Sequence, residues 1–237
     1  MISVDELIYE FELKLNSLDR QDNQLIAMEN KLIYLNNAQD TWIKSKLNPN
    51  NIYKAGYESF RKRIDDLQVL KVNDSKLTVT KTDNARYIGY KGALTDINDY
   101  SFYVSSYAKV KRKDCTTTIE VDLIKEGELE TKYFNDNYSP SLEWRYTLAT
   151  IGSNNIYVYT DDKFEIEEVR LTYLRQPKKI DKLGYIKLDG SDSVDQDCEL
   201  PSYAKNDIVD LAVKYAAQSL GDQLQVQMAK EREQNNE

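Results

Sequence analysis

The chain has 237 residues, with 40 Asp and Glu against 32 Lys and Arg, and it contains no histidine. This length can bury a substantial core as one large domain or two small ones. The absence of histidine excludes Ser-His-Asp triads, Cys-His pairs, His-bearing zinc sites and imidazole acid–base catalysis. The formal net charge of −8 argues against nonspecific duplex binding, because basic side chains supply most of that affinity.

Neither the cysteines nor the N-terminus indicates a reactive or exported protein. Cys115 and Cys198 lie far apart with no CxxC motif, so each is expected to fill space rather than to act as a nucleophile. The N-terminus is acidic where an export signal would be basic, and no apolar run approaches the length of a membrane span. Since no phosphate-binding glycine loop is present either, we predict a soluble non-enzyme without cofactors or membrane partners.

Apolar residues in the first seventy positions recur every three or four residues, as in amphipathic helices. The first helix should begin after Ser3, which with Glu6 has the spacing of a capping box. A second helix is expected over residues 25–43, before the turn-forming residues 48–51, and a third over residues 53–67. Because no single amphipathic helix buries its apolar stripe alone, the three should pack as a bundle.

From about Lys76 the apolar residues alternate with polar ones, as in half-buried strands. Turn-forming residues separate strand-like segments at positions 77–80, 100–104, 116–124, 144–151, 156–159 and 164–174. After Pro177 the sequence is loop-like apart from residues 185–188, and a final helix is expected from about Lys205. This order is typical of a β-sandwich or a small barrel inserted between helices.

The predicted fold class is therefore α+β. An N-terminal helical bundle is completed by a long C-terminal helix, and an antiparallel β-sandwich or barrel-like region is inserted between them. The predicted domains are a helical one, residues 1–72 with 201–237, and a β-rich insert, residues 73–200.

Two charged clusters of the sequence are candidate binding sites. The run containing Asp189, Asp192, Asp195 and Asp197 does not match the spacing of an EF-hand, so a solvated acidic loop is favoured over a calcium site. A weak basic patch follows Tyr103 and Tyr107 and consists of Lys109, Lys111, Arg112 and Lys113. Such a mixture can bind single-stranded nucleic acid, but the charged outer face of a strand is the favoured interpretation. The charged outer face of a strand is likewise the favoured interpretation of the second basic group, Arg170, Arg175, Lys178 and Lys179.

Tyrosine is abundant, with 18 residues, and it is enriched at protein–protein interfaces. An AT-rich coding sequence explains the same excess; we favour this explanation, and the two are compatible. The chain ends in a polar segment, residues 229–237, without an apolar stripe of its own. Such a segment is free to fold on a partner.

Four phrases of the sequence resemble head-to-tail connector proteins, the tail adaptor rings of short-tailed and particularly of crAss-like phages. They are SVDELIYEFELKLNSL at 3–18, GYESFRKRIDDLQVL at 56–70, LTYLRQPKKI at 171–180 and ELPSYAKNDIVDLAVKYAAQSLGDQ at 199–223. The resemblance implies a structural virion protein that joins the portal to the tail as a ring, commonly of twelve copies. It implies no catalytic residues. In such a protein the helical domain would line or build the ring, and the β insert would face outward or toward the next tail component.

The implied partners are the portal protein, neighbouring tail ring or nozzle proteins and other copies of the chain, while double-stranded DNA passes through without specific binding. The protein would be made in the bacterial cytoplasm and would reside in the connector of the virion. At −8 per copy, twelve copies carry −96, and an acidic lumen repels phosphates. Candidate interface residues are Tyr53, Tyr57, Tyr203 and Tyr215. Candidate partner-binding residues of the tail are Met228, Lys230, Glu231, Arg232 and Glu233.

Two alternatives remain open at this point. One is another virion component, such as a different tail ring or a fibre-attachment protein. The other is a nucleic-acid-binding regulator that uses the basic patch at 109–113, which predicts salt-sensitive DNA affinity.

Overall fold

The computed structural model describes residues 1–18, 26–47, 65–82, 86–113, 115–187 and 190–220. The chain divides into two compact units, a helical unit of Met1–Val69 with Pro177–Glu237 and a barrel unit of Leu70–Gln176. The α+β fold class is confirmed, with helices at both ends and a β-barrel inserted between them. Most of the predicted third helix, residues 53–64, lies outside the described residues, and the functional division at residues 72 and 200 stays a prediction.

The described residues of the helical unit form three long helices: α1 (Val4–Leu18), α2 (Met28–Leu47) and α4 (Lys205–Leu220). Helix α4 packs against both α1 and α2. The predicted apolar stripes face this contact, and the fully buried side chains include Leu7, Phe11, Leu35, Ile208 and Ala212. A short helix, α3 (Leu129–Tyr133), belongs to the barrel unit.

The first backbone amide of helix α1 is hydrogen-bonded to a side chain that lies far away in the sequence. The amide of Val4 donates to Asp197 Oδ1 at 2.9 Å. The Glu6 carboxylate, which the predicted capping box would direct to Ser3, accepts from Lys205 Nζ at 2.7 Å. The start of α1 is thus tied to the segment that precedes α4 through Asp197 and to the first residue of α4 through Lys205.

Residues 177–200, which we call the strap, are held to α2 by side-chain amides. Asn36 on α2 donates through Nδ2 to the Ile180 carbonyl at 2.9 Å and accepts from the Ile180 amide at 2.8 Å. Gln39 donates to the Lys178 carbonyl at 3.1 Å. At the other end of the strap, Ile2 and Cys198 form an antiparallel bridge. The strap therefore has fixed positions although it contains little regular structure.

The described residues of the barrel unit form seven strands: β1 (Lys71–Thr82), β2 (Gly89–Ala93), β3 (Tyr100–Arg112), β4 (Cys115–Leu123), β5 (Tyr146–Gly152), β6 (Asn155–Tyr159) and β7 (Glu165–Arg175). They close in the order β1-β2-β6-β5-β4-β3-β7. Every neighbouring pair is antiparallel except β4 and β5, which are parallel. The segment with α3 makes the crossover that a parallel pair requires.

The interior of the barrel is apolar because the predicted alternation places one face of each strand inside. Fully buried members include Leu77, Ala108, Val110, Ile156, Val169 and Leu171. A register shift in β3 between Tyr103 and Ser105 puts Tyr103 and Ser106 beside each other, with their hydroxyls 3.0 Å apart. Bulges of this kind bend a strand and help to close a barrel.

Candidate interaction surfaces

A loop within the strap, residues 181–196, is built around the buried carboxylate of Asp181. This carboxylate accepts from Tyr185 Oη at 2.8 Å and from the Val194 amide at 3.1 Å, and it lies 2.8 Å from Lys187 Nζ. Burial by itself raises the pKa of Asp181, but the hydrogen bonds from Lys187, Val194 and Tyr185 outweigh it and lower the pKa below its usual value. The loop therefore carries a buried charge at its centre that fixes both of its arms.

Two further side chains hold the same loop. The buried Ser193 hydroxyl accepts from the amides of Gly184 and Tyr185 at 3.0 and 3.1 Å. Asp195 Oδ1 accepts from the Leu183 amide at 2.9 Å. These bonds connect the described parts of the two arms, residues 181–187 and 190–196, directly.

This ordered loop exposes aliphatic side chains to solvent. Ile186 is 71% exposed, and Leu183 and Val194 are also exposed. We call these three residues the aliphatic loop surface. A rigid loop that displays apolar side chains is typical of a surface that binds another protein.

The acidic run lies in this loop and, with Asp197, directly after it, and two of its carboxylates are used structurally. Asp192, Asp195 and Asp197 are all exposed, as a solvated loop predicts, and Asp195 and Asp197 also accept backbone hydrogen bonds. Asp189 lies outside the described residues. Among the described side chains, no group of three or more Asp, Glu or Cys is placed to hold a metal ion.

The predicted interface tyrosines have different environments. The ring of Tyr203 is 57% exposed, and its hydroxyl donates to Asp66 Oδ1 at 2.7 Å. Partial burial together with this bond raises the pKa of Tyr203 to about 12. The Tyr215 hydroxyl bonds to Thr41 Oγ1 at 2.8 Å between α4 and α2, so it serves packing inside the unit. The other predicted interface and tail residues lie outside the described residues: Tyr53, Tyr57, Met228, Lys230, Glu231, Arg232 and Glu233.

The weak basic patch lies at and near the turn between β3 and β4. Lys109 is on the outer face of β3, with its Nζ 3.9 Å from Glu167 Oε2, while the neighbouring Ala108 and Val110 point inside. The remaining cations, Lys111, Arg112 and Lys113, are exposed at the end of the hairpin, and we call them the basic tip. Lys113 adopts a left-handed conformation, with φ 53°, that turns the chain toward β4.

The second basic group contains two residues that are paired with carboxylates. Arg170 Nε lies 2.9 Å from Glu168 and its Nη1 lies 2.9 Å from Asp74. Lys178 Nζ is 3.5 Å from the buried Glu199. Arg170 therefore stabilises the barrel and Lys178 the strap.

An open groove of about 390 Å³ lies beside the far end of β4. Its lining includes Asp122, Lys132, Asp136, Tyr138, Trp144 and Tyr146. Trp144 is 80% exposed, which is unusual for the largest apolar side chain. We call this feature the acidic–aromatic groove.

The polar side chains of the groove are linked. Asp122 accepts from Tyr146 Oη at 3.0 Å, and Lys132 Nζ lies 3.9 Å from the same carboxylate and 3.6 Å from Glu128. Burial and the bond to Asp122 raise the pKa of Tyr146 to about 12, so its hydroxyl stays a donor at neutral pH. The sequence indicated only an exposed loop here; the tryptophan in the polar stretch SPSLEW is the signal that could have identified the groove.

Comparison with known proteins identifies the family of the chain. None of the curated proteins matches the chain. The family described as phage tail ring protein 3/4 matches residues 2–227, which is nearly the whole sequence. Among the described helices, none is both long and apolar enough to span a bilayer. The chain therefore belongs to the tail ring protein 3/4 family of crAss-like phages and is a structural component of the virion tail.

Proposed function

We propose that copies of this chain form an adaptor ring that joins the portal to the tail and surrounds the path of the DNA. Membership of a tail ring family supports the ring and its place in the virion. The observation that carries the adaptor role is the aliphatic loop surface, because an ordered loop with exposed Leu183, Ile186 and Val194 has the properties of a docking element.

The loop suits docking on a neighbouring ring for two physical reasons. Its internal hydrogen bonds to Asp181 and Ser193 fix its shape in advance, so little conformational entropy is lost on binding. Its aliphatic side chains contribute about 25 cal/mol for each Å² that a partner covers. In a ring, every copy repeats this contribution.

The adaptor role is tested by mixing the purified chain with the portal protein of the same phage and imaging the product by cryo-electron microscopy. We expect a symmetric ring stacked on the portal. A chain that stays free in the presence of assembled portal would contradict the adaptor role.

The loop's part is tested by replacing Leu183, Ile186 and Val194 with Ser. We expect attachment to the portal to weaken at least about tenfold, corresponding to the loss of about 1.4 kcal/mol or more. Ile33→Ser is the matched control, since Ile33 is an exposed aliphatic residue on α2 of the same unit. Equal attachment of the triple variant and the control would refute docking through the loop.

The polar residues 229–237 are proposed as a second contact with the neighbouring ring, because a segment without a core of its own can fold on a partner. Deleting them should leave the fold intact, with an unchanged circular dichroism spectrum, and abolish attachment to the portal. Assembly of the shortened chain on portal rings would show that the tail is dispensable.

The proposed relation to DNA is passage without binding. The net charge of −8 per copy disfavours phosphate contacts, so a duplex titration should show no salt-sensitive affinity. Tight binding that weakens with added salt would instead support a nucleic-acid-binding role.

A second candidate is a ring farther along the tail, without contact to the portal. It is favoured by the family description, which names the tail and not the portal. In this case the chain ignores the portal but forms rings with other tail proteins, which the same imaging experiment can detect.

A further inference from the structure

We propose that adjacent copies in the ring join through their barrel units, in place of the helical domain that the family resemblance implies, with the basic tip of one copy bound in the acidic–aromatic groove of the next. This inference deepens the proposed function and rests on ring formation. A closed ring of identical subunits uses a heterologous contact, in which each copy contributes two different surfaces. The barrel unit carries two such surfaces with opposite character.

The two surfaces are well separated on one rigid element. The basic tip precedes Cys115, the first residue of β4, and the groove contains Asp122 near the end of the same strand. At about 3.3 Å per residue, these two positions are about 23 Å apart. A tip and a groove so far apart on one strand allow head-to-tail contacts between successive copies.

The charges of the two surfaces are complementary. No ion pair joins Lys111, Arg112 or Lys113 to another residue in the described part of the chain. The groove presents the carboxylates of Asp122 and Asp136, and its cation Lys132 is already shared between Asp122 and Glu128. The groove therefore has negative charge available for a partner, and the tip has positive charge available.

The aromatic residues of the groove favour the same occupant. A guanidinium such as that of Arg112 can stack on an exposed indole while it donates to a carboxylate. Trp144 and Tyr138 are both exposed beside the carboxylates, so the groove offers both kinds of contact. Trp, Tyr and Arg are also the residues that contribute most to protein interfaces, which predicts a large effect for each of them.

The test uses one variant that breaks each surface. Arg112→Glu damages the tip and leaves the groove intact; Asp136→Ala with Trp144→Ala damages the groove, without adding a cation that could pair with Glu at position 112, and leaves the tip intact. Lys91→Glu is the control for the first, because Lys91 is an exposed cation on β2 whose replacement changes the charge equally. Assembly is followed by native mass spectrometry and negative-stain imaging of the full chain, with its ring partner present where the wild type needs it.

We expect the wild type and Lys91→Glu to form rings at the same protein concentration. For Arg112→Glu and for the groove variant, the concentration needed to form rings should rise at least about tenfold. Mixed together, the two damaged chains retain one intact pair of surfaces. They should form a heterodimer of twice 27.6 kDa and no larger species.

Rings of undiminished stability from Arg112→Glu would overturn this contact while leaving the ring function intact. Failure of the wild type to form rings with any tail partner would overturn the ring function and this inference together. If Arg112→Glu forms normal rings but loses DNA affinity, the tip serves nucleic acid and the proposed contact is wrong.

Discussion

Different interactions stabilise the inside of the barrel unit and the inside of the helical unit. In the barrel, hydrogen-bonded neighbours form ladders around an apolar interior that includes Leu77, Val169 and Leu171. In the helical unit, side-chain amides and carboxylates connect segments far apart in the sequence, as Asn36 does with Ile180. The barrel is ordered by the alternation of apolar and polar residues along its strands, whereas the helical unit depends on single polar side chains. Each kind predicts a different response to substitution.

The largest effect is expected from a cavity in the barrel. Leu171 is fully buried in the core, and Leu171→Ala should lower the free energy of unfolding by about 2–5 kcal/mol. The neighbouring Thr172→Ala, on the less buried face of β7, is the control. Urea denaturation measures both, and equal losses would mean that the interior does not dominate the stability of the barrel.

A smaller effect is expected from removing one polar link in the helical unit. Asn36→Ala leaves the amide and the carbonyl of the buried Ile180 without their partner, which costs about 1–3 kcal/mol. Asn37→Ala, one position along α2 and exposed, controls for the change in helix propensity. If both variants unfold at the same urea concentration, the strap is not held by Asn36.

A third prediction concerns acid. Glu168 on β7 is held by Lys76 Nζ at 2.7 Å and by Arg170 Nε at 2.9 Å, and these bonds lower its pKa to about 2. Since the unfolded chain has a glutamate pKa of about 4.3, this carboxylate stabilises the fold above about pH 5 and loses its contribution between about pH 5 and 2.

Glu168→Gln should therefore flatten the pH dependence of the unfolding midpoint in that window. Glu167→Gln is the matched control on the exposed side of the strand, where it should leave the slope unchanged. An identical slope for wild type and Glu168→Gln would contradict the assignment.

The last prediction needs no destabilising substitution. Cys115 is exposed in the barrel unit, and Cys198 is fully buried in the helical unit with its thiol 3.2 Å from Gln39 Oε1. Burial raises the pKa of Cys198 to about 11, so its reactive thiolate is scarce at neutral pH. A thiol reagent should label one site in the native protein and two in denaturant. Rapid labelling of native Cys115→Ser would show that the strap is open.

The sequence predicts six of the seven described barrel strands and the three long described helices, because alternation and three-to-four spacing report burial directly. It does not predict β2 (Gly89–Ala93) or α3 (Leu129–Tyr133), since five residues are too few to show either period. It could not reveal that β4 and β5 are parallel, since alternation does not encode the partner of a strand. The sequence predicts little more than a loop for the strap. The bonds that hold it, those of Asn36 and Asp197, join residues more than a hundred positions apart, and a local pattern does not show them.

The candidate surfaces were predicted less completely than the fold. Tyr203 is exposed as an interface residue should be, whereas Tyr215 uses its hydroxyl inside the unit. The basic residues at 109–113 could be identified from the sequence, but their placement at a hairpin end could not. The groove around Trp144 depends on a crossover between parallel strands, and the sequence gives no spacing rule for it.

Cryo-electron microscopy of the chain assembled with its portal protein tests the central claim most directly. The account predicts a closed ring stacked on the portal, with Arg112 of each copy against Asp122 and Trp144 of the next and the loop at 181–196 facing the portal. Monomers beside bare portal rings would contradict it.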